Sequence, residues 1–230
     1  MARGTSLSQL RDQLRAEIGA SPNPAMGTNQ VHQMNLLLSR TQERLWADFD
    51  WPLFSVTRDI ELKTGQRYYA FPNSLDFGRI NQTEVKYSGV WRPMEYGIGN
   101  ADYNFMDSDE GERQDPALKW STYEGGTQFE VWPIPASNDM TLRFTGIRKL
   151  APLIADTDVC ELDDHLLTLY AAAELLSHNK SPDAPAKLNL ANVHYARLRG
   201  MSGKGGLTTY GGGPPGVTPT YRMIGGKVQN

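Results

Sequence analysis

The sequence predicts an α+β fold: a helical bundle of about four helices, an inserted antiparallel β-domain and an extended C-terminal arm. Three observations carry this. Apolar residues recur at helical spacing near both ends of the chain. Between residues 53 and 150 they alternate with period two. After Gly200 no periodicity remains. With 230 residues, 39% of them hydrophobic and 10% aromatic, the chain can build one large core or two small ones.

Each element follows from local signals. In SLSQLRDQLRAEIG, Leu7, Leu10, Leu14 and Ile18 share a helix face. Ser6 with Gln9 forms a capping-box pattern, and Gly19 suits the C-terminal end. SPNP at 21–24 breaks the chain. A second helix is predicted from about Asn29 to Asp48, with Val31, Met34, Leu38, Thr41 and Leu45 inward. Trp51-Pro52 then ends it, because proline cannot continue a helix and restricts the residue before it.

The period-two region reads as strands joined by short turns. Phe54, Val56, Ile60 and Leu62 alternate with polar residues, KTGQ turns the chain, and RYYAF returns as a hairpin partner. TEVKY–SG–VWRP and LKWSTY–EGGT–QFEVW read as two further hairpins, and TLRFTGI closes the set. Connections this short favour antiparallel pairing. Glu95 to Pro116 reads as a polar surface loop or short helix. A third helix begins at Asp163, a good N-cap, with Leu162 and Leu167 as a hydrophobic staple. The fourth runs from about Pro185 to Arg199, with Leu188, Ala191, Tyr195 and Leu198 on one face and Gly200 ending it. The predicted organisation is therefore N-terminal bundle helices in 1–52, the β-domain in 53–150, C-terminal bundle helices in 151–200 and the arm in 201–230.

Composition narrows the function. A formal charge of −3 argues against a free nucleic-acid binder, which carries a basic surplus. The single cysteine, Cys160, excludes an internal disulfide framework and fits a reducing compartment. No apolar run approaches the roughly 20 residues that span a bilayer, and no apolar signal-peptide core follows MARG. The expectation is a protein made and kept in a cytosol, or in something assembled there, with no membrane partner.

Catalytic signatures are lacking. His32, His165, His178 and His194 lie more than four residues apart, and no Cys or carboxylate cluster has metal-ligand spacing. Cys160 has no nucleophile context. Asp76-Phe77-Gly78 has the letters of the kinase magnesium motif without its companions. Gly97-Ile98-Gly99 lacks the third glycine of a nucleotide loop. DSDEGE at 107–112 lacks the terminal glutamate of a calcium loop. The expectation is no enzyme, no cofactor and no metal. Trp51, Trp91, Trp120 and Trp132 lie in or beside the β-region and Trp46 on the second helix. They read as core or hairpin residues; the competing reading makes them a sugar or base platform in a carbohydrate-binding tail or fibre protein. A small hydrolase with a scattered site is a second rival.

The last stretch, GGLTTYGGGPPGVTPTYRMIGGKVQN, cannot bury enough apolar surface to form a core. It has no Asp or Glu, and Lys204, Arg222 and Lys227 make the tail positive. Fully extended, it reaches at most ~85–95 Å, farther than one such domain is wide. Tyr210, Tyr221, Met223 and Ile224 are its apolar anchors, and Pro214, Pro215 and Pro219 favour an extended path that loses less entropy on binding. It reads as an arm that docks on another molecule.

The run LLLSRTQERLWADFDWPLFSVTRDIEL, the later FEVWPIP and TLRFTGIRKLAPL, and DDHLLTLYAAAELL before a last helix and tail together resemble a known family. The chain resembles the head-to-tail adaptor (connector) proteins of tailed bacteriophages, in particular those of short-tailed phages. The likeness spans about residues 5–200 in element order. It is sharpest at Asp50-Trp51-Pro52 and at Trp132-Pro133-Ile134-Pro135. The resemblance implies a virion protein forming a ring of twelve copies under the portal vertex, with genomic DNA passing through a central channel. It implies that the arm, with Tyr210, Pro214, Pro215, Tyr221, Arg222, Met223 and Ile224, docks on the portal protein. The tail nozzle or next tail protein would bind the other end. A near-neutral chain suits such a conduit, since a strongly basic lumen would hold phosphates.

Overall fold

The N-terminal capping box forms as its sequence dictates. In this computed structural model, which describes residues 3–20, 28–106 and 111–202, the Ser6 hydroxyl accepts from the Gln9 N–H and the Gln9 side chain accepts from the Ser6 N–H. Two orphan donors of helix α1 (Leu7–Glu17) are thereby satisfied. Helix α2 (Thr28–Asp48) buries Met34, Leu38, Thr41 and Leu45, and Val31 is half-buried. Helix α4 (Asp164–His178) opens at Asp163, whose carboxylate accepts from Leu166 N–H at 2.9 Å. Ala171, Ala172 and Ala173 are buried in α4, so its neighbours approach closely. Helix α5 (Ala184–Ser202) packs on α4 through Ala184, Ala191 and Leu198. It continues past Gly200, which the sequence reading took as its end. Arg197, Arg199 and the residues around them keep the helical path, so the glycine does not adopt a cap conformation there.

The strands form two sheets rather than one. The first has the order β1 (Ser55–Leu62), β8 (Met140–Arg148), β3 (Leu75–Tyr87), β4 (Val90–Pro93). The second has the order β2 (Tyr68–Ala70), β7 (Gln128–Trp132), β6 (Lys119–Tyr123), β5 (Glu95–Tyr96). The predicted pairings β3–β4 and β6–β7 are antiparallel hairpins. Ser88 and Gly89 both have positive φ, 49° and 82°, which is the two-residue turn that matches strand twist. The predicted return of RYYAF onto β1 does not occur. Strand β1 pairs with β8 from Ser55↔Ile147 to Leu62↔Met140, while β2 crosses to the second sheet and pairs with β7. The crossing is held by the Tyr69 hydroxyl, which accepts from Lys63 N–H and donates to backbone carbonyls of the same turn. It leaves Leu62 and Tyr69 both buried between the sheets. One pair, β5–β6, is parallel. Within Glu95–Pro116 the described residues form β5 and the short helix α3 (Asn100–Phe105). Asp102 ties α3 down by accepting from Gly99 N–H and pairing with Lys119 at 2.7 Å.

Two apolar clusters result. The first gathers Leu7, Leu10, Leu14, Leu38, Leu45, Leu166, Leu167 and Leu198 with Trp46, Trp51 and Phe54. The second is filled by rings: Phe129 of β7 meets Phe144 of β8 at 5.0 Å between centroids, and Trp120 and Phe71 close on Phe144 at 5.0 and 5.6 Å. Edge-on and tilted ring packing of this kind adds to plain area burial.

Candidate assembly surface at the helix-to-sheet junction

The last turn of a helix leaves four carbonyls without intrahelical partners. At the end of α2 an arginine from a distant strand donates to one of them and to the carbonyl just beyond the helix. Arg79 of β3 donates to Trp46 O at 2.7 Å and Phe49 O at 2.8 Å, and its Nε donates to Asp50 Oδ1 at 2.8 Å. A cation there also complements the helix dipole. Strand β8 comes close enough to support this only because residue 146 is glycine. A Cβ at Gly146 would stand 2.6 Å from Arg79 O, where the register of β3 shifts against β8.

Trp51 and Pro52, predicted as the helix-to-sheet junction, lie at the centre of this contact. Trp51 is 3% exposed, and its indole N–H donates to Leu45 O at 3.0 Å. Its ring meets Phe49 edge-on at 5.0 Å and Tyr195 of α5 at 6.1 Å. Pro52 opens a single 3-10 turn, Pro52–Phe54, that leads into β1. Phe54 lies 4.6 Å from Trp46. The Arg148 guanidinium lies 4.8 Å over Phe54 and pairs with Glu161 at 2.6 Å.

Helix α5 ends against the same junction. Tyr195 donates to the Asp48 carboxylate, and Arg199 sits 5.0 Å over the Phe49 ring and 5.4 Å over Tyr195. Burial and then the Asp48 hydrogen bond push the Tyr195 phenol up to about 12. Ser202, the last residue of α5, follows directly. The last described turns of α5 therefore lie beside the point where α2 turns into the sheet. The arm residues Tyr210, Pro214, Pro215, Tyr221, Arg222, Met223 and Ile224 lie outside the described residues. Sequence reasoning located Trp51-Pro52 but missed Arg79, Tyr195 and Arg199 as parts of the junction. The one available signal was Gly146, an isolated glycine inside a strand pattern, which marks a bulge or close backbone approach.

Other residues singled out from the sequence have structural roles here. Trp46, Trp120 and Trp132 are buried, and Trp91 lies half-buried under the Arg143 guanidinium at 3.9 Å. Buried rings offer no stacking face to a sugar. Cys160 is buried, and burial, then Asp164, push its thiol up to about 12, so it is not poised as a nucleophile. Asp76 belongs to β3, where it accepts from Gly78 N–H at 3.1 Å. Folding brings His165 and His194, far apart in sequence, to 5.3 Å between rings, and His194 Nε2 lies 2.9 Å from Asp163 Oδ1. Among the described residues no three His, Cys, Asp or Glu side chains are placed to hold a metal ion, and no helix is long and apolar enough to cross a membrane. The acidic run at 107–112 falls mostly outside the described residues.

No curated protein matches the chain in sequence. A family match covers nearly all of it, from residue 5 to residue 214, and so takes in both helical segments, both sheets and the first part of the tail. The family is that of the SU10 adaptor protein, and the chain belongs to it.

Proposed function

We propose that the chain is a head-to-tail adaptor that forms a ring of twelve copies beneath the portal, joins it to the tail and continues the DNA channel. The coarse part of this follows from family membership: a structural component of the phage virion that associates with other virion proteins. A structural family also points to a non-enzymatic role. The finer assignment is our reading. In it, 1–52 and 151–200 form one body, 53–150 is a lobe inserted into that body, and 201–230 is the portal-binding arm. The subunit assembles in the host cytoplasm, the tail nozzle or next tail protein binds the end away from the portal, and DNA passes without specific binding.

The observation that supports the arm assignment best is the bracing of its root. Tyr195 and Arg199 hold the final turns of α5 on the ends of α2 and its junction. A tether pulled by a partner transmits load to a rigid point rather than to a frayed helix end. Twelve weak arms acting on one closed ring bind far more tightly than one arm alone. The test is deletion of residues 205–230, followed by binding of the truncated chain to isolated portal rings. The proposal expects binding to be lost while the circular dichroism of the remainder is kept. Undiminished portal binding would refute the arm assignment.

A further inference from the structure

The outermost strand of a sheet has one row of backbone N–H and C=O groups without a ladder partner, and proteins keep such rows short or block them. Three of the four sheet edges here follow that rule. Strand β4 has four residues and ends in Pro93, β2 has three residues and β5 two. Strand β1 does not. It has eight residues, Ser55–Leu62, with no proline and no lysine, and among the described residues it pairs with β8 on one side only. Two of its three charges are engaged locally: Arg143 holds Asp59 at 2.7 Å, and Arg58 donates to Ser74 and to Thr57 O. Val56 and Ile60 pack against the β-cluster yet stay half-buried at this edge.

An open row of this length fits an extended segment added as a further strand, held by main-chain hydrogen bonds. The chain's own continuation is within reach. Tyr195 and Arg199 hold the last described turns of α5 on Asp48 and Phe49, and β1 begins at Ser55, just past the same junction. From Ser202 the link to Leu207 spans at most ~18 Å. It leads to Leu207-Thr208-Thr209-Tyr210, a tetrad set between glycines, in which both threonines and the tyrosine favour strands. Leu207 and Tyr210 are three apart, so on a strand they take opposite faces. In either register one of them falls on the face of Val56 and Ile60. The family match takes in this tetrad and ends at residue 214.

We propose that residues 207–210 add to the outer edge of β1 in the same chain, as a fifth strand of the first sheet. The segment enters from the Ser55 end and so runs parallel to β1. Four residues cover ~13 Å of the edge, and their apolar side chain on the inner face adds cover to Val56 and Ile60. The inference goes beyond the arm reading and does not depend on it. It places Tyr210 on the body of the subunit and leaves the portal to the residues after Gly213.

The test is hydrogen exchange of the full chain, followed residue by residue. Amide groups on the outer side of β1 and those of 207–210 are expected to be protected. A variant with Thr208→Pro and Thr209→Pro lacks the ladder donor in either register. In it the outer amide groups of β1 should exchange about 10-fold faster, as in a locally opened strand, while the second sheet is unchanged. Deletion of 215–230 should leave the protection in place. Whose strand it is follows from Thr57→Cys together with Thr209→Cys, treated with a short bismaleimide. Native Cys160 is buried and stays silent. The expected product is an internally cross-linked monomer. Three results overturn the proposal. Residues 207–210 that exchange like a free peptide, or β1 exchange that the prolines leave unchanged, mean that the tetrad does not pair with β1. Protection lost on deleting 215–230 puts a more distal segment on the edge. Cross-linked dimers from a mixture of the two single-cysteine variants, with no cross-linked monomer from the double variant, put the tail of a second copy there.

Discussion

The helical cluster and the β-cluster solve the same burial problem with different materials. The helical one is built from leucines at i, i+3, i+4 and i+7 spacing, with Asp163 and Ser6 setting where helices begin. Its contacts are assembled from segments that are already locally ordered. The β-cluster is built from aromatic rings brought together across sequence: Phe71, Trp120, Phe129 and Phe144 come from four separate stretches. Its central strand, β8, pairs with β1 some eighty positions earlier in the chain. The lesson is that the helical part carries its instructions locally, whereas the β-part depends on long-range pairing. Arg79 and Gly146 join the two at one place.

That contrast can be broken at its most buried point. Phe144 is fully buried and touches three other rings. Phe144→Ala should cost about 3–5 kcal/mol, through lost transfer energy and the cavity left behind. Chemical denaturation will measure it, and a loss under about 1 kcal/mol would mean the ring cluster is not the centre of the β-part. The next effect is at the joint. Arg79→Ala removes donors from the Trp46 carbonyl of α2, from the Phe49 carbonyl just beyond it and from Asp50, at an expected cost of about 1–3 kcal/mol. It should also separate the far-UV signal of the helices from the near-UV signal of the β-part during unfolding. Coincident transitions in that variant would show that the clusters are coupled through something other than Arg79. Gly146→Ala should destabilise by a similar ~1–3 kcal/mol, since a methyl there meets backbone rather than a movable side chain.

The smallest effect is a pH dependence at the arm root. Burial, and then the Asp48 hydrogen bond, raise the Tyr195 phenol above its ordinary value to about 12. A group whose folded pKa is raised adds stability that is present in full below its unfolded pKa and is lost as pH rises through the folded one. The contribution should therefore decline between about pH 10 and 12. Tyr195→Phe should remove that part of the alkaline profile, read as melting temperature against pH. An unchanged profile would contradict the Asp48 hydrogen bond.

These differences explain what could be read in the sequence. The Ser6–Gln9 box, the Asp163 cap and the Ser88-Gly89 turn are short-range signals, and each forms as expected. The KTGQ turn misled because a turn residue pattern states that the chain reverses, not which strand it then joins. Strand β1 found β8, and β2 found β7. Gly200 misled for the opposite reason: glycine permits a helix end without requiring one. The junction was half legible. Proline at 52 announces the exit from α2, but the reach of Arg79 across two elements, and the return of Tyr195 and Arg199 to the same spot, are products of tertiary packing.

The central claim is that this chain sits between portal and tail and grips the portal through its C-terminal residues. Electron cryomicroscopy of the neck of the virion that contains it tests this most directly. The account predicts a twelve-fold ring of this chain at that level, with residues 205–230 running onto the portal. Density for the chain in a fibre, or a ring whose portal contacts come from the β-strands while the C-terminal residues point away, would contradict it.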